Sequence, residues 1–205
     1  MGMMKWLPPY QIELETWGRR YGEIVMTSGS DLILSERIVE VFQRNKLRGL
    51  EEIEPVEIVK VVHHRRKPPE PLPHYFKATV VRSQTTVDEK ASGMQWAPCG
   101  TPPATIASRQ WKFKKPDCPV CLYRKGIFVR QQRLVIQPDT WTGEDIFCAR
   151  SGAVKFIVSA RFKEICERKN VLGVVFVPAA ECEVDFYPSE SKFLLKVYRA
   201  YMDKS

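Results

Sequence analysis

The sequence predicts an α+β protein of two packed lobes, built of mostly antiparallel strands, with one strand–helix–strand repeat unit in each lobe. Three observations point there. Several segments alternate apolar and polar residues, the period of a half-buried strand. Firm helical spacing of apolar residues is confined to two short windows. Those two windows belong to an internal repeat: residues 32–44 align with residues 156–168 at a constant offset of 124. Ile33/Ile157, Ser35/Ser159, Arg37/Arg161, Glu40/Glu164, Arg44/Arg168 and Gly49/Gly173 are identical pairs in that alignment.

Taken in order, Tyr10 to Leu14 alternates and reads as a strand. The first repeat follows, a short apolar run ending at Ser35, whose side chain suits the free amides of a helix N-terminus. Ile38, Val41 and Phe42 then recur at helical spacing, Arg44 complements the dipole at the C-terminal end, and Gly49 fits a left-handed terminator. Ile53 to Val62 alternates as a strand, and so does Tyr75 to Val81. Residues 82–117, rich in Ser, Thr, Gly and Pro, read as irregular. Ile127–Val129 and Leu134–Ile136 read as one long or bent strand. In the second repeat Ser159 is the cap, Phe162, Ile165 and Cys166 form the apolar stripe, Gly173 ends the unit and Val174 to Val177 is its closing strand. Cys182 to Tyr187 alternates. Ser189 to Met202 fits both a helix and a strand, and the helix is preferred.

The prolines place the break between lobes. Lys67-Pro68-Pro69-Glu70-Pro71-Leu72-Pro73 reads as a stiff, polyproline-like segment. The expected organisation is an N-terminal lobe over residues 1–67, a connector over 68–73 and a C-terminal lobe over 74–205.

With 205 residues, 44% of them apolar and 27% charged, the chain has the make-up of a globular protein rather than a disordered one. No apolar run is long enough to cross a membrane. The first residues lack a secretory h-region, and Trp6 stands where a myristoylation site wants Ser or Thr. A cytoplasmic protein is expected. The net charge of +8 suits nucleic acid, an anionic surface or an acidic protein, or serves solubility alone. Six cysteines in such a chain read as reduced thiols or metal ligands rather than disulfides.

Cys118-Pro119-Val120-Cys121 is the one local motif with its own chemistry, since two thiolates at that spacing can grip one tetrahedral Zn²⁺. Cys99 is the candidate third ligand, with His63, His64, His74 or Cys148 as a fourth. Unliganded thiols are the competing reading; redox chemistry is disfavoured because the motif does not open a helix after a strand. The cofactor expectation is therefore none, or one structural zinc on Cys99, Cys118 and Cys121. Cys148, Cys166 and Cys182 sit in apolar contexts and read as small core residues.

The histidines cluster at the basic joint and lack a nucleophile elbow, and no P-loop, dinucleotide fingerprint, HExxH or EF-hand is present. No catalytic residue is expected. Arg109-Gln110-Trp111-Lys112-Phe113-Lys114-Lys115 interleaves aromatics with cations, which fits base stacking and phosphate neutralisation or an exposed strand on a core.

The segments Ser28–Leu50 and Asp145–Pro178, with their closing strand, serine, helix and Gly-Val-x-Phe pattern, resemble bacterial immunity proteins of polymorphic toxin systems. The nearest resemblance is to the double-CXXCG-motif immunity family of myxobacteria, over about residues 10–187. Both motifs are degenerate. Cys118 to Leu122 has leucine for the glycine, and Trp96-Ala97-Pro98-Cys99-Gly100 has tryptophan for the first cysteine. The resemblance implies a non-enzymatic protein that binds and neutralises a cognate toxin, with neither membrane nor nucleic acid as partner. Exposed aromatics and arginines dominate binding energy, so Trp96, Arg109, Trp111 and Tyr123 are the partner-binding candidates. The alternative is a nucleic-acid-binding module with a small zinc site.

Overall fold

Alternation along the first eighty residues builds one sheet with two apolar faces. The computed structural model describes residues 8–27, 31–64, 71–97, 127–152, 154 and 156–185. Strands β1 (Tyr10–Thr16), β2 (Ile24–Met26), β3 (Asp31–Ser35), β4 (Leu50–His63) and β5 (Tyr75–Val80) lie in the order β1-β4-β5-β3-β2. Only β1 and β4 run parallel there. Because successive side chains point to opposite faces, Leu32, Leu34, Phe76, Ala78 and Val80 meet the main core, while Leu14, Ile33, Val56 and Tyr75 join a second cluster behind it.

Helix α1 (Glu36–Arg44) follows β3, and α2 (Ala160–Arg168) follows β10 (Ile157–Val158). Between them lie β6 (Arg82–Thr86), β7 (Gln95–Ala97), β8 (Ile127–Gln131) and β9 (Ile146–Arg150); β11 (Val184–Asp185) comes last. Two three-stranded sheets result, β10-β9-β6 and β11-β8-β7. The class is α+β, with mostly antiparallel pairs.

The two repeat units pack directly on each other. Ile38, Val39 and Phe42 of α1 share the main core with Phe162 and Cys166 of α2, and the Phe42 and Phe162 rings stand 5.3 Å apart. Their polar contacts are reciprocal. Arg37 donates to the Glu23 carboxylate at 2.5 Å and to the carbonyl of Lys169, which caps α2. Arg161 donates to the Asp145 carboxylate at 3.3 Å and to the carbonyl of Asn45, which caps α1. Glu23 also accepts the Leu172 amide at 2.9 Å, and Asp145 the Arg48 amide at 3.0 Å. The Leu172 carbonyl accepts the Glu23 and Ile24 amides, and the Arg48 carbonyl accepts those of Asp145 and Ile146. Arg37/Arg161, Asn45/Lys169 and Arg48/Leu172 are related by the repeat's own offset of 124. The units therefore sit about an approximate two-fold axis, clasped once on each side. Both carboxylates are buried, a placement tolerated because hydrogen-bond donors surround them.

The glycines that end the units are required. Gly49 has φ +113° and Gly173 φ +86°. A Cβ at either position would strike the main chain of the opposite unit, at Ile146 and Ile24 respectively.

Some sequence expectations change. Ser159 accepts the Phe162 amide at 3.1 Å as a cap should, but the Ser35 hydroxyl takes no such bond. The first amide of α1, that of Glu36, goes to the His74 carbonyl at 2.9 Å instead. The stretch read as irregular contains β6 and β7. In β6 the buried positions are Ser83 and Thr85, which satisfy one another at 2.7 Å, so a strand forms without the apolar alternation that would announce it. Leu134–Ile136 does not continue β8. Main-chain and side-chain bonds to Ser92 turn the chain at Gln132–Val135, leaving one isolated bridge, Val87 to Ile136. Val174–Val177 joins no described ladder; Val174 and Phe176 are spent on the main core. The alternating run from Cys182 yields the short β11, and Ser189–Met202 lies outside the described residues.

Candidate functional site

Of the residues singled out from the sequence, Trp96 is described. It stands half-buried in β7 opposite Phe128 of β8, the rings edge to face at 5.4 Å. Arg109, Trp111 and Tyr123 lie outside the described residues, as do Cys99, Cys118 and Cys121. Among the described residues no cluster of three or more His, Cys, Asp or Glu is arranged to hold a metal ion. The histidines do not converge. His63 bonds Thr16 through Nδ1 at 2.9 Å, His64 bonds Glu15 through Nε2 at 3.1 Å, and His74 is exposed.

The displaced ionisable groups are held where they are by the fold. Burial pushes the Cys166 thiol up to about 12 and raises Cys182 as well, so neither is a ready thiolate. Burial likewise raises Tyr75, whose hydroxyl donates to the Gly22 carbonyl at 2.7 Å. Tyr10 is pushed up to about 12, first by its hydrogen bond to Glu54 and then by burial. At Glu144 burial opposes the charge, yet bonds from Thr142, its own amide and Ser83, with Arg48 nearby, outweigh it and hold the carboxyl low. Lys77 is buried behind β5 with Thr79 at 3.3 Å, Glu52 at 3.8 Å, Asp31 at 3.9 Å and the Tyr10 ring at 4.8 Å.

These shifts fix the direction of alkaline instability. For Cys166 and Tyr10 the folded state favours the protonated acid. That contribution is complete below the ordinary values of 9.0 and 10.0 and is lost as pH rises through the native values near 12. The urea midpoint, followed by tryptophan fluorescence, is expected to begin falling from about pH 9 and to keep falling toward pH 12. In Cys166→Ala the earliest part of the fall becomes shallower, and what remains of it comes from Cys182.

One exposed feature of the described residues is one the sequence reading missed. Past Val56, the described partner of β4 is β1 alone, so the two form a parallel ribbon beyond the rest of the sheet. One ribbon face is apolar and joins the second core cluster through Ile12, Leu14, Ile58 and Val61. The other carries polar rungs: Gln11 donates to Glu57 at 2.7 Å, Lys60 pairs with Glu13 at 3.1 Å, and Glu15 meets His64. Trp17 ends this face, 47% exposed and stacked on His64 at 4.5 Å and 9°. The signal was in the sequence, because Trp17 continues the odd-numbered polar register Gln11, Glu13, Glu15.

Fold and side chains together define a class, an α+β scaffold made of two clasped repeat units with a polar ribbon projecting at one side. Residues 22–181 match the model of the Immunity protein family (Imm11), and the chain belongs to that family. No curated protein matches it. The matched stretch encloses both repeats and both clasps; β1 and Trp17 precede it. Immunity families are generally non-enzymatic and have toxins as partners in general. Among the described residues no helix is long and apolar enough to cross a membrane.

Proposed function

We propose that this protein binds a cognate toxin and neutralises it by protein–protein contact in the cytoplasm of the cell that makes both. The single observation that carries this reading is the family match over residues 22–181. The architecture supports it. Two repeats clasped around one core give a scaffold that loses little conformational freedom when it docks, which favours tight association. Among the displaced acids Tyr10, Tyr75 and Glu144 are occupied with internal bonds and Cys166 and Cys182 are buried, as suits a molecule whose work is complementarity rather than bond-making.

The test pairs the purified chain with the toxin encoded beside its gene. Co-expression should restore growth, and inhibition should rise linearly to an end point near one inhibitor per toxin. Cells that die as readily with the protein as without it overturn the reading. So does a small fraction of the protein inactivating a large excess of toxin, which is the behaviour of a catalyst.

A further inference from the structure

We infer that the outer face of the β1–β4 ribbon is the toxin-contact surface and that the toxin patch it meets is cationic; this rests on the neutralising function proposed above. Charge carries the argument first. The outer face of the ribbon holds three glutamates, Glu13, Glu15 and Glu57, against one lysine, Lys60, in a chain whose overall charge is +8. Such segregation against the global balance produces a local acidic field, which steers a cationic partner and repels a polyanion.

Geometry makes that charge presentable. The exposed rungs are held by cross-strand partners: Gln11 fixes Glu57, Lys60 fixes Glu13 and His64 fixes Glu15. A side chain already fixed surrenders little entropy on binding. Glu13 is matched by Lys60, which leaves Glu15 and Glu57 as the carboxylates least neutralised on this face. Beside them Trp17 is exposed but immobilised by its stack on His64, a rigid aromatic of the kind that anchors interfaces. Val59, the extra residue at the β4 bulge, is 52% exposed and adds an apolar contact between the rungs. Arg19 and Arg20 follow Trp17, so the field changes sign at the tip and orients the partner along the ribbon.

The test uses the full chain with its neighbouring toxin. Glu15→Lys with Glu57→Lys should weaken binding about 100-fold and flatten its salt dependence, and Trp17→Ala should weaken it about 10-fold. Glu164→Lys with Glu167→Lys, the same charge change on the exposed side of α2, should leave binding unchanged. Melting temperatures verify folding, and Glu15→Gln with Glu57→Gln serves if the lysine pair misfolds. Folded ribbon variants that bind as tightly as the parent sink the surface while leaving neutralisation intact. A parent chain that neither binds nor protects sinks the function itself. Tight binding of an oligonucleotide by the parent at low salt also overturns the inference.

Discussion

Gly49→Ala is expected to destabilise the protein by about 4 kcal/mol, the largest effect of a methyl group added at the described glycines. The new Cβ would lie 1.8 Å from the Ile146 carbonyl oxygen, far inside contact distance, at a backbone φ of +113° that L side chains avoid. Neither partner can retreat. Ile146 is tied by its own amide to the Arg48 carbonyl and by β9 to Val158, and Arg48 is tied to Asp145. The clash therefore acts on the whole contact between the units. Gly173→Ala, the equivalent change, meets the Ile24 carbonyl at 2.8 Å with φ +86° and should cost about half as much. For a chain of this size the Gly49 variant should melt roughly 10 °C below the parent. A melting temperature unchanged within 2 °C would show that the approach of the units at Gly49 does not limit stability.

The sequence marked both glycines as the left-handed residues that end the helices, but Lys46 (φ +49°) and Asn170 (φ +50°) take that role, and the glycines come three residues later. What made them indispensable, the opposite unit's carbonyl, is not local. The same division runs through the rest of the fold. Apolar spacing announced α1 and α2, because a helix shows its buried stripe along consecutive turns. Alternation announced β1, β4 and β5. It was silent on β6, whose buried Ser83 and Thr85 bond one another and mimic a loop in composition. The apolar run misled at Leu134–Ile136, where Leu134 faces a small core cluster from a turn fixed by Ser92. The repeat was legible from identical pairs such as Arg37/Arg161, but its meaning was not. Each arginine sits on its own helix, and each reaches the carbonyl that caps the other helix. At the ribbon, Glu13 and Glu15 were legible as the polar side of a strand. The pairing of β1 with the far half of β4 was not, since parallel neighbours forty-six residues apart leave no turn signal between them.

Asp145→Ala is the second large effect, at about 3 kcal/mol. The carboxylate receives the Arg48 amide, the Ser159 hydroxyl at 2.8 Å and Arg161, and its own carbonyl accepts the Ser159 amide. Removing it leaves the Arg48 amide without its side-chain acceptor and frees the hydroxyl that caps α2. Glu23→Ala strips the Leu172 amide and Arg37 in the same way on the other side of the axis and should cost nearly as much. Arg161→Ala should cost about 1 kcal/mol, because its side chain is 54% exposed and water replaces what it loses. The two clasps bracket a single core in which Phe42 meets Phe162, so opening one loosens the surface that the other holds. The double variant should therefore fall short of the summed single effects by at least about 1 kcal/mol in urea unfolding. Additive losses would mean that each unit keeps its own stability and that the reciprocal bonds are ornament. A shortfall would mean that the units fold as one, each supplying the lock for its counterpart's helix end.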